Sequence, residues 1–308
     1  MSSTTLVPPG EALEEIDAVR ERMRGVAREA LGVPGTDKTT PLREGLRRPG
    51  VGYYPLIALS VLVIVDELQS YAFFVLGPEI ASSLGLSKGA LAGINSLKIL
   101  AITLAALPTA AYIQQHGRRG MISIVNAFAW SVLTLFTGLV SGAWTLAAML
   151  LADGATTGTV RATHTPLLID SHPPDVRVRA LSVYRGADAA GNIAAPLLVA
   201  LLAAVLGFTW RGIFIIMGVV SLLAAVIAIR LRDPGVGRWD SARVRQAVAG
   251  TDVAAVEEVK LGFFEVMRRL LLIPTAARIF TASAVAGAFL VPLSTFFFFF
   301  LEEKWGLG

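Results

Sequence analysis

From residue 51 onward the chain is built of long apolar runs, each about as long as a helix that crosses a bilayer. The hydrocarbon core of a bilayer is about 30 Å thick, so a helix rising about 1.5 Å per residue needs roughly 20 apolar residues to cross it. Ile99–Gly117, Gly120–Ala152, Ala189–Trp210, Gly212–Ile229 and Ile279–Leu301 contain no Asp, Glu, Lys or Arg. The 33-residue window from Gly120 is too long for one span and breaks at Ser141-Gly142, which predicts a helical hairpin. Val51–Val65 is shorter, but its apolar run resumes after Asp66-Glu67 and stops near Gly77-Pro78. The pattern predicts seven spans, near 54–77, 89–113, 120–141, 144–168, 179–206, 211–230 and 275–300. A closed β-barrel is the other way to satisfy backbone groups in lipid. It would read as short alternating segments, whereas these runs are continuous, so the fold class expected is an all-α polytopic membrane bundle.

Composition sharpens this. Of the 308 residues, 54 % are hydrophobic and only 16 % charged, against about 25 % charged in a soluble domain. Residues 1–50 hold 16 charged side chains and residues 230–278 hold 15, which marks two water-facing segments. The organisation expected is a polar N-terminal tail (1–50), a six-helix half (51–232), a central loop (233–273) and a seventh helix (274–308). Within the tail, residues 11–31 read as an amphipathic helix, and Leu261–Leu272 reads as an interfacial one. Lys and Arg in short loops set orientation. Arg43, Arg47 and Arg48, then Arg118 and Arg119, Arg177 and Arg179, and Arg230, Arg232 and Arg238 fall on one side, against Lys88, Arg211 and Lys304 on the other. A cytoplasmic N-terminus and a multi-pass protein of the cytoplasmic membrane are expected. A net charge of +4 is too small and dispersed to argue for nucleic acid. The chain has no cysteine, and its histidines (His116, His164, His172) lack metal-binding spacing. No metal or cofactor is expected beyond a coupling proton. With no Ser-centred elbow or His-acid dyad, the chain is not expected to be an enzyme.

An ionisable residue at the centre of a spanning helix costs about 2.5–3.5 kcal/mol on insertion scales, so each calls for a reason. Spans 3, 6 and 7 have none inside. Spans 1, 2, 4 and 5 carry Asp66 and Glu67, Lys98, Asp153 and Arg161, and Arg185 and Asp188. Counting residues from the span ends puts Asp66, Lys98, Asp153 and Asp188 near one level in the middle of the membrane. Two readings stand. Lys98 neutralises one acid in a pair that only holds helices together, or the acids form a polar path that binds a solute or carries a proton. The acids outnumber the lysine, which favours the path. Adjacent residues point about 100° apart on a helix, so Asp66 and Glu67 are not expected both to face Lys98. Arg161 and Arg185 lie nearer the cytoplasmic end, where they can snorkel or bind an anion. His164 reads as a hydrogen-bonded structural histidine.

His116-Gly117-Arg118-Arg119, after a long apolar span, resembles the loop between helices 2 and 3 of the major facilitator superfamily, G-x-x-x-D-[RK]-x-G-[RK]-[RK]. Gly117, Arg118 and Arg119 match its last three positions, while Ala110, Gln114 and Gln115 replace the first Gly, the Asp and the next basic residue. Gly154–Gly158 is similar to the family's Gly-x-x-x-Gly element, and Arg177–Arg179 to the basic loop before helix 5. Gly191–Pro196 resembles the bend of helix 5, with Ala195 for its second Gly. Trp210-Arg211-Gly212-Ile213-Phe214 resembles the entry to helix 6, and Arg232-Asp233-Pro234 its exit. The resemblance implies a twelve-helix secondary carrier made of two six-helix halves, with helices 1, 2, 4 and 5 lining the cavity. Those are the charge-bearing spans. It also implies a cytoplasmic gate at Gln114, Gly117, Arg118 and Arg119, where Gln114 keeps hydrogen bonding without the usual charge and the arginines can meet helix ends. Leu150 stands where the family's helix-4 arginine would be, which is a departure from the proton-coupling arrangement of drug antiporters.

The function expected is transport of a small solute by alternating access, coupled to protons through Asp66, Glu67, Asp153 or Asp188. The acids favour a cation or protonated amine, and Arg161 and Arg185 argue for an anion. The alternatives are the permease portion of a larger fused protein, or a membrane sensor that recruits a partner through residues 11–31. A carrier cavity needs both halves, so a second helical half in the same or a longer chain is expected.

Overall fold

The computed structural model describes residues 40–235, 237–239 and 268–306. The helix expected at 11–31 and most of that expected at 261–272 lie outside the described residues, as does the side chain of Gln114. A short helix α1 (Leu42–Leu46) precedes α2 (Tyr54–Val75) and α3 (Gly77–Ser83). Then come α4 (Lys88–His116), α5 (Arg119–Thr137), α6 (Ala143–Ser171) and α7 (Pro174–Ala200), which runs on through a π-helical turn to Val205. α8 (Trp210–Ile227) ends in a 3₁₀ turn at Arg230, and α9 (Pro274–Trp305) closes the described chain.

Each of the seven expected spans is a helix. Among the described residues six helices are long and apolar enough to cross a membrane. The other, α6, is 29 residues long, and Asp153 and Arg161 interrupt its apolar run. Helix ends follow local chemistry. Ser87 caps α4 by accepting from the Ala90 amide at 3.1 Å. Gly117 ends α4 in the left-handed conformation at φ 57°, a cap most side chains resist. Pro78 starts α3 directly after the α2 C-cap, so the predicted break at Gly77-Pro78 is a helix restart.

The bundle is laid out in pairs, α2 against α7, α4 against α6, and α5 against α6 and α8. The α4–α6 contact is a close backbone approach. A Cβ on Gly154 would run into the carbonyl of Lys98, and one on Gly158 into that of Ile102. Small residues allow this approach, and dispersion contacts then hold the helices where lipid gives no hydrophobic drive between them. Two apolar clusters form the core. One gathers Leu46, Leu59, Trp130, Leu167 and Val176 toward the Arg119 end. The other gathers Phe73, Ile80, Leu146, Trp210 and Phe214 toward the Lys88 end. Between them lies a layer of buried polar side chains that includes Asp66, Gln69, Lys98, Thr134, Asp153 and His164.

Candidate functional site

The polar layer holds a chain of contacts across four helices. Lys98 Nζ on α4 lies 2.7 Å from Asp153 Oδ2 on α6. The other Asp153 oxygen accepts from Gln69 Nε2 on α2 at 3.4 Å, and Gln69 Oε1 accepts from the Thr134 hydroxyl on α5. Gln69 and Thr134 were not picked out from the sequence, because a search for ionisable residues passes over neutral partners. Gln69 lies three residues, about one turn, after Asp66, and that spacing is the signal that would have found it.

With Asp153 taken by Lys98, the remaining acids face elsewhere. Asp66, Glu67, Arg161, Tyr184, Arg185 and Asp188 line a cavity of about 170 Å³ between α2, α4, α6 and α7. Glu67 and Asp188 lie together on its wall, and Asn192 Nδ2 donates to the Asp188 backbone carbonyl at 3.2 Å. Arg185 Nη1 stands 3.8 Å from Asp188 Oδ2, a loose pair one turn apart on α7. Arg161 is exposed, and Asp66 is 6 % exposed with its Oδ1 unpartnered. His164 Nδ1 lies 3.0 Å from the Tyr184 hydroxyl, the hydrogen-bonded arrangement expected for it. The helices bring together in this cavity Asp66, Glu67, Asp188, Arg161 and Arg185 of the candidates, and they set Lys98 and Asp153 apart as a pair. Among the described residues no group of His, Cys, Asp or Glu is placed to hold a metal ion.

A second charged cluster sits at the Arg119 end. Arg119 is 4 % exposed, with Nη1 2.5 Å from Asp170 Oδ2 at the end of α6 and Nη2 2.7 Å from Asp233 Oδ1 after α8. Asp233 Oδ2 also accepts from the Arg119 backbone amide at 3.0 Å, which caps the N-terminus of α5. Asp170 Oδ1 accepts from the Gly237 amide at 3.2 Å. Burial opposes ionisation of Asp233, but the hydrogen bonds and charge of Arg119 together with the Gly235 amide outweigh it and hold the carboxyl below the usual carboxylate range. Of the two loop arginines, Arg119 thus ties two helix ends together while Arg118 is exposed. Asp170 and Asp233 complete the cluster and were not among the candidates.

At the other end, the buried residues of α9 lie in its last turns. Thr295 and Phe299 are buried, and Phe298 stands edge-on to Tyr71 of α2. Glu303 Oε2 lies 2.5 Å from Lys88 Nζ at the start of α4. From Pro274 to Pro292 most of α9 is exposed.

A sequence profile of the Major Facilitator Superfamily matches residues 59–308. Among curated proteins, the chain is 23 % identical over 171 residues to the Probable L-galactonate transporter of Escherichia coli (strain K12), covering 56 % of this chain and 37 % of that one. It is 21 % identical over 183 residues to the D-galactonate transporter of Escherichia coli O6:H1, covering 59 % and 42 %. The chain thus spans less than half the length of these relatives. Among solved structures, a bacterial homologue of the human lysosomal transporter Spinster in an inward-facing, unoccupied conformation aligns with a TM-score of 0.64 at 21 % identity, over 85 % of this chain and 57 % of that one. The inward-facing, occupied conformation aligns with a TM-score of 0.53 at 21 % identity, over 61 % and 46 %. Both share the fold.

Proposed function

The chain belongs to the Major Facilitator Superfamily, and from that premise we propose that it carries a small organic acid across the cytoplasmic membrane together with a proton, by alternating access. The observation that carries this reading is the make-up of the central cavity, where three carboxyl groups and two guanidinium groups share one wall. Arg161 and Arg185 give a carboxylate two charge-assisted anchoring points. Glu67 and Asp188 line the same small cavity, where neighbouring carboxyl groups disfavour ionising together, so the two form a station for one proton. Arg185 leans on Asp188 only at 3.8 Å, which leaves it able to turn to an incoming anion. The loss of that contact would shift charge at the proton station, and so link solute binding to proton uptake.

The names of the two galactonate transporters favour a sugar acid over an amine. In this reading the Arg119 cluster breaks and re-forms as access alternates, and a second six-helix bundle completes the pathway.

The test of substrate class is uptake by the complete protein in liposomes with an acidic exterior. D-galactonate, L-galactonate and small organic amines would be offered separately. Accumulation of a galactonate that is lost in Arg161→Gln supports an organic-acid carrier. Accumulation of amines alone contradicts it.

A further inference from the structure

Asp66 has two sides. One faces the central cavity, and the other faces a smaller chamber between α2, α5 and α6, lined by Leu62, Asp66, Ser123, Asn126, Trp130 and His164. Three polar atoms of these walls are buried without a protein partner, namely Asp66 Oδ1, Ser123 Oγ and Trp130 Nε1. The three residues are 6 %, 2 % and 4 % exposed. An unsatisfied buried polar atom costs about 1–3 kcal/mol, so three around one small space point to a shared ligand.

The chemistry of the wall selects that ligand. Trp130 Nε1 can only donate, the Asp66 carboxyl accepts and when protonated also donates, and the Ser123 hydroxyl can do either. Asn126 spends its Nδ2 on the Thr156 carbonyl at 2.8 Å and keeps its amide oxygen. A metal cation would face the indole N–H, and neither a cation nor an anion finds a counter-charge on the apolar walls of Leu62, Ala127 and Val160. Water meets donor and acceptor alike. The space left for the centre of a water molecule is about 10 Å³, room for roughly one.

We infer that this chamber holds one internal water, which accepts from Trp130 Nε1 and donates to Asp66 Oδ1 and Ser123 Oγ. Those are three hydrogen bonds, the usual complement of a buried water. Ser123 and Trp130 are then positioning residues that act on Asp66 through the water. They fix its carboxyl and give it a polar contact that persists whatever occupies the central cavity. The ionisable groups around Asp66 are Glu67 on α2, Lys98 on α4, Asp153, Arg161 and His164 on α6, and Tyr184 on α7. The significance of the water for coupling rests on the proposed role of Asp66 in transport, whereas its presence does not.

The experiment uses ¹⁵N-tryptophan-labelled protein in lipid nanodiscs. The five tryptophans give five indole N–H signals, and Trp130→Phe assigns one of them. The expected result is a water cross-peak at the Trp130 indole N–H, a shift of that signal in Asp66→Asn, and loss of the cross-peak in Ala127→Leu, which fills the chamber. Ser123→Val, which removes one acceptor with little change in volume, is expected to weaken the same cross-peak if the leucine variant does not fold. In parallel, the infrared carboxyl band assigned to Asp66 by Asp66→Asn is expected to move in Trp130→Phe. A Trp130 N–H with no water contact in the parent, or an Asp66 band unmoved in Trp130→Phe, overturns the inference. Both readings are made without substrate, so a dry chamber is distinguishable from a failure of the transport proposal.

Discussion

Lys98 Nζ and Asp153 Oδ2 sit 2.7 Å apart in the middle of the bundle, with the two side chains 8 % and 1 % exposed. The contact settles where the lysine's charge goes. It is spent on the acid of α6, while Asp66, Glu67 and Asp188 line the cavity beside two arginines. The acid that pairs with the lysine and the acids that line the cavity are therefore different residues.

Removing one partner of this pair strands the other in a low-dielectric layer, which typically costs about 3–5 kcal/mol. Lys98→Ala and Asp153→Ala are each expected to lower the thermal unfolding midpoint in detergent by several degrees. The apolar double variant Lys98→Met/Asp153→Leu is expected to recover most of that loss. Single variants that melt with the parent would show that the pair contributes nothing.

Arg119 has the most to lose at its own end of the molecule. Arg119→Ala leaves Asp170 and Asp233 facing each other without their cation, and a stability loss of about 3–5 kcal/mol is expected. Because the Asp233 carboxyl is held below its unfolded value near 3.9, its contribution is present above about pH 4 and fades as pH falls through the depressed folded value. Asp233→Asn should be less stable than the parent at neutral pH and approach it in acid. A constant gap at all pH values would count against the ionised pair.

His172 is fully buried, and its Nδ1 donates to the Leu168 carbonyl at 2.8 Å. Burial pushes its pKa below the ordinary 6.5, with the charge of Arg177 pushing the same way and the Leu168 bond opposing. The unfolded chain therefore takes up a proton first, and stability should drop as pH falls below about 6.5 toward the folded value. In His172→Asn melting curves recorded from pH 7.5 to 5, that decline should be shallower. A decline as steep as the parent's would assign it to other groups.

Gly158 lies where α6 meets the carbonyl of Ile102 on α4. Backbone cannot yield as a side chain can, so Gly158→Val should separate the helices at a cost of about 3 kcal/mol. A normal melting point would remove close approach as the basis of this contact.

Much of this architecture was legible as lengths of apolar sequence. The span predicted at 54–77 is α2 at Tyr54–Val75, and that predicted at 211–230 is α8 with its 3₁₀ end. Bilayer thickness imposes those lengths on any sequence, so they can be read without a fold. Partner choice is a tertiary fact. Nothing in the spacing of Lys98 says which acid it meets. Gly154, one residue after Asp153, brings the α6 backbone against that of Lys98 and decides the matter. Nothing in the spacing of Asp170 says that the end of α6 packs it beside Arg119, or that the return of the chain after α8 brings Asp233 to the same guanidinium. Neutral members such as Gln69, Thr134, Ser123 and Trp130 carry no charge to flag them and become visible only as contacts.

The most direct test of the central claim is proton flux driven by solute in liposomes that hold the complete protein and a trapped pH dye. Addition of a transported organic acid should acidify the lumen with the parent protein. The lumen should stay unchanged with Asp66→Asn/Glu67→Gln, while the same variant still binds the acid through Arg161 and Arg185. Solute-driven acidification of equal size in parent and double variant would contradict coupling through these carboxyl groups.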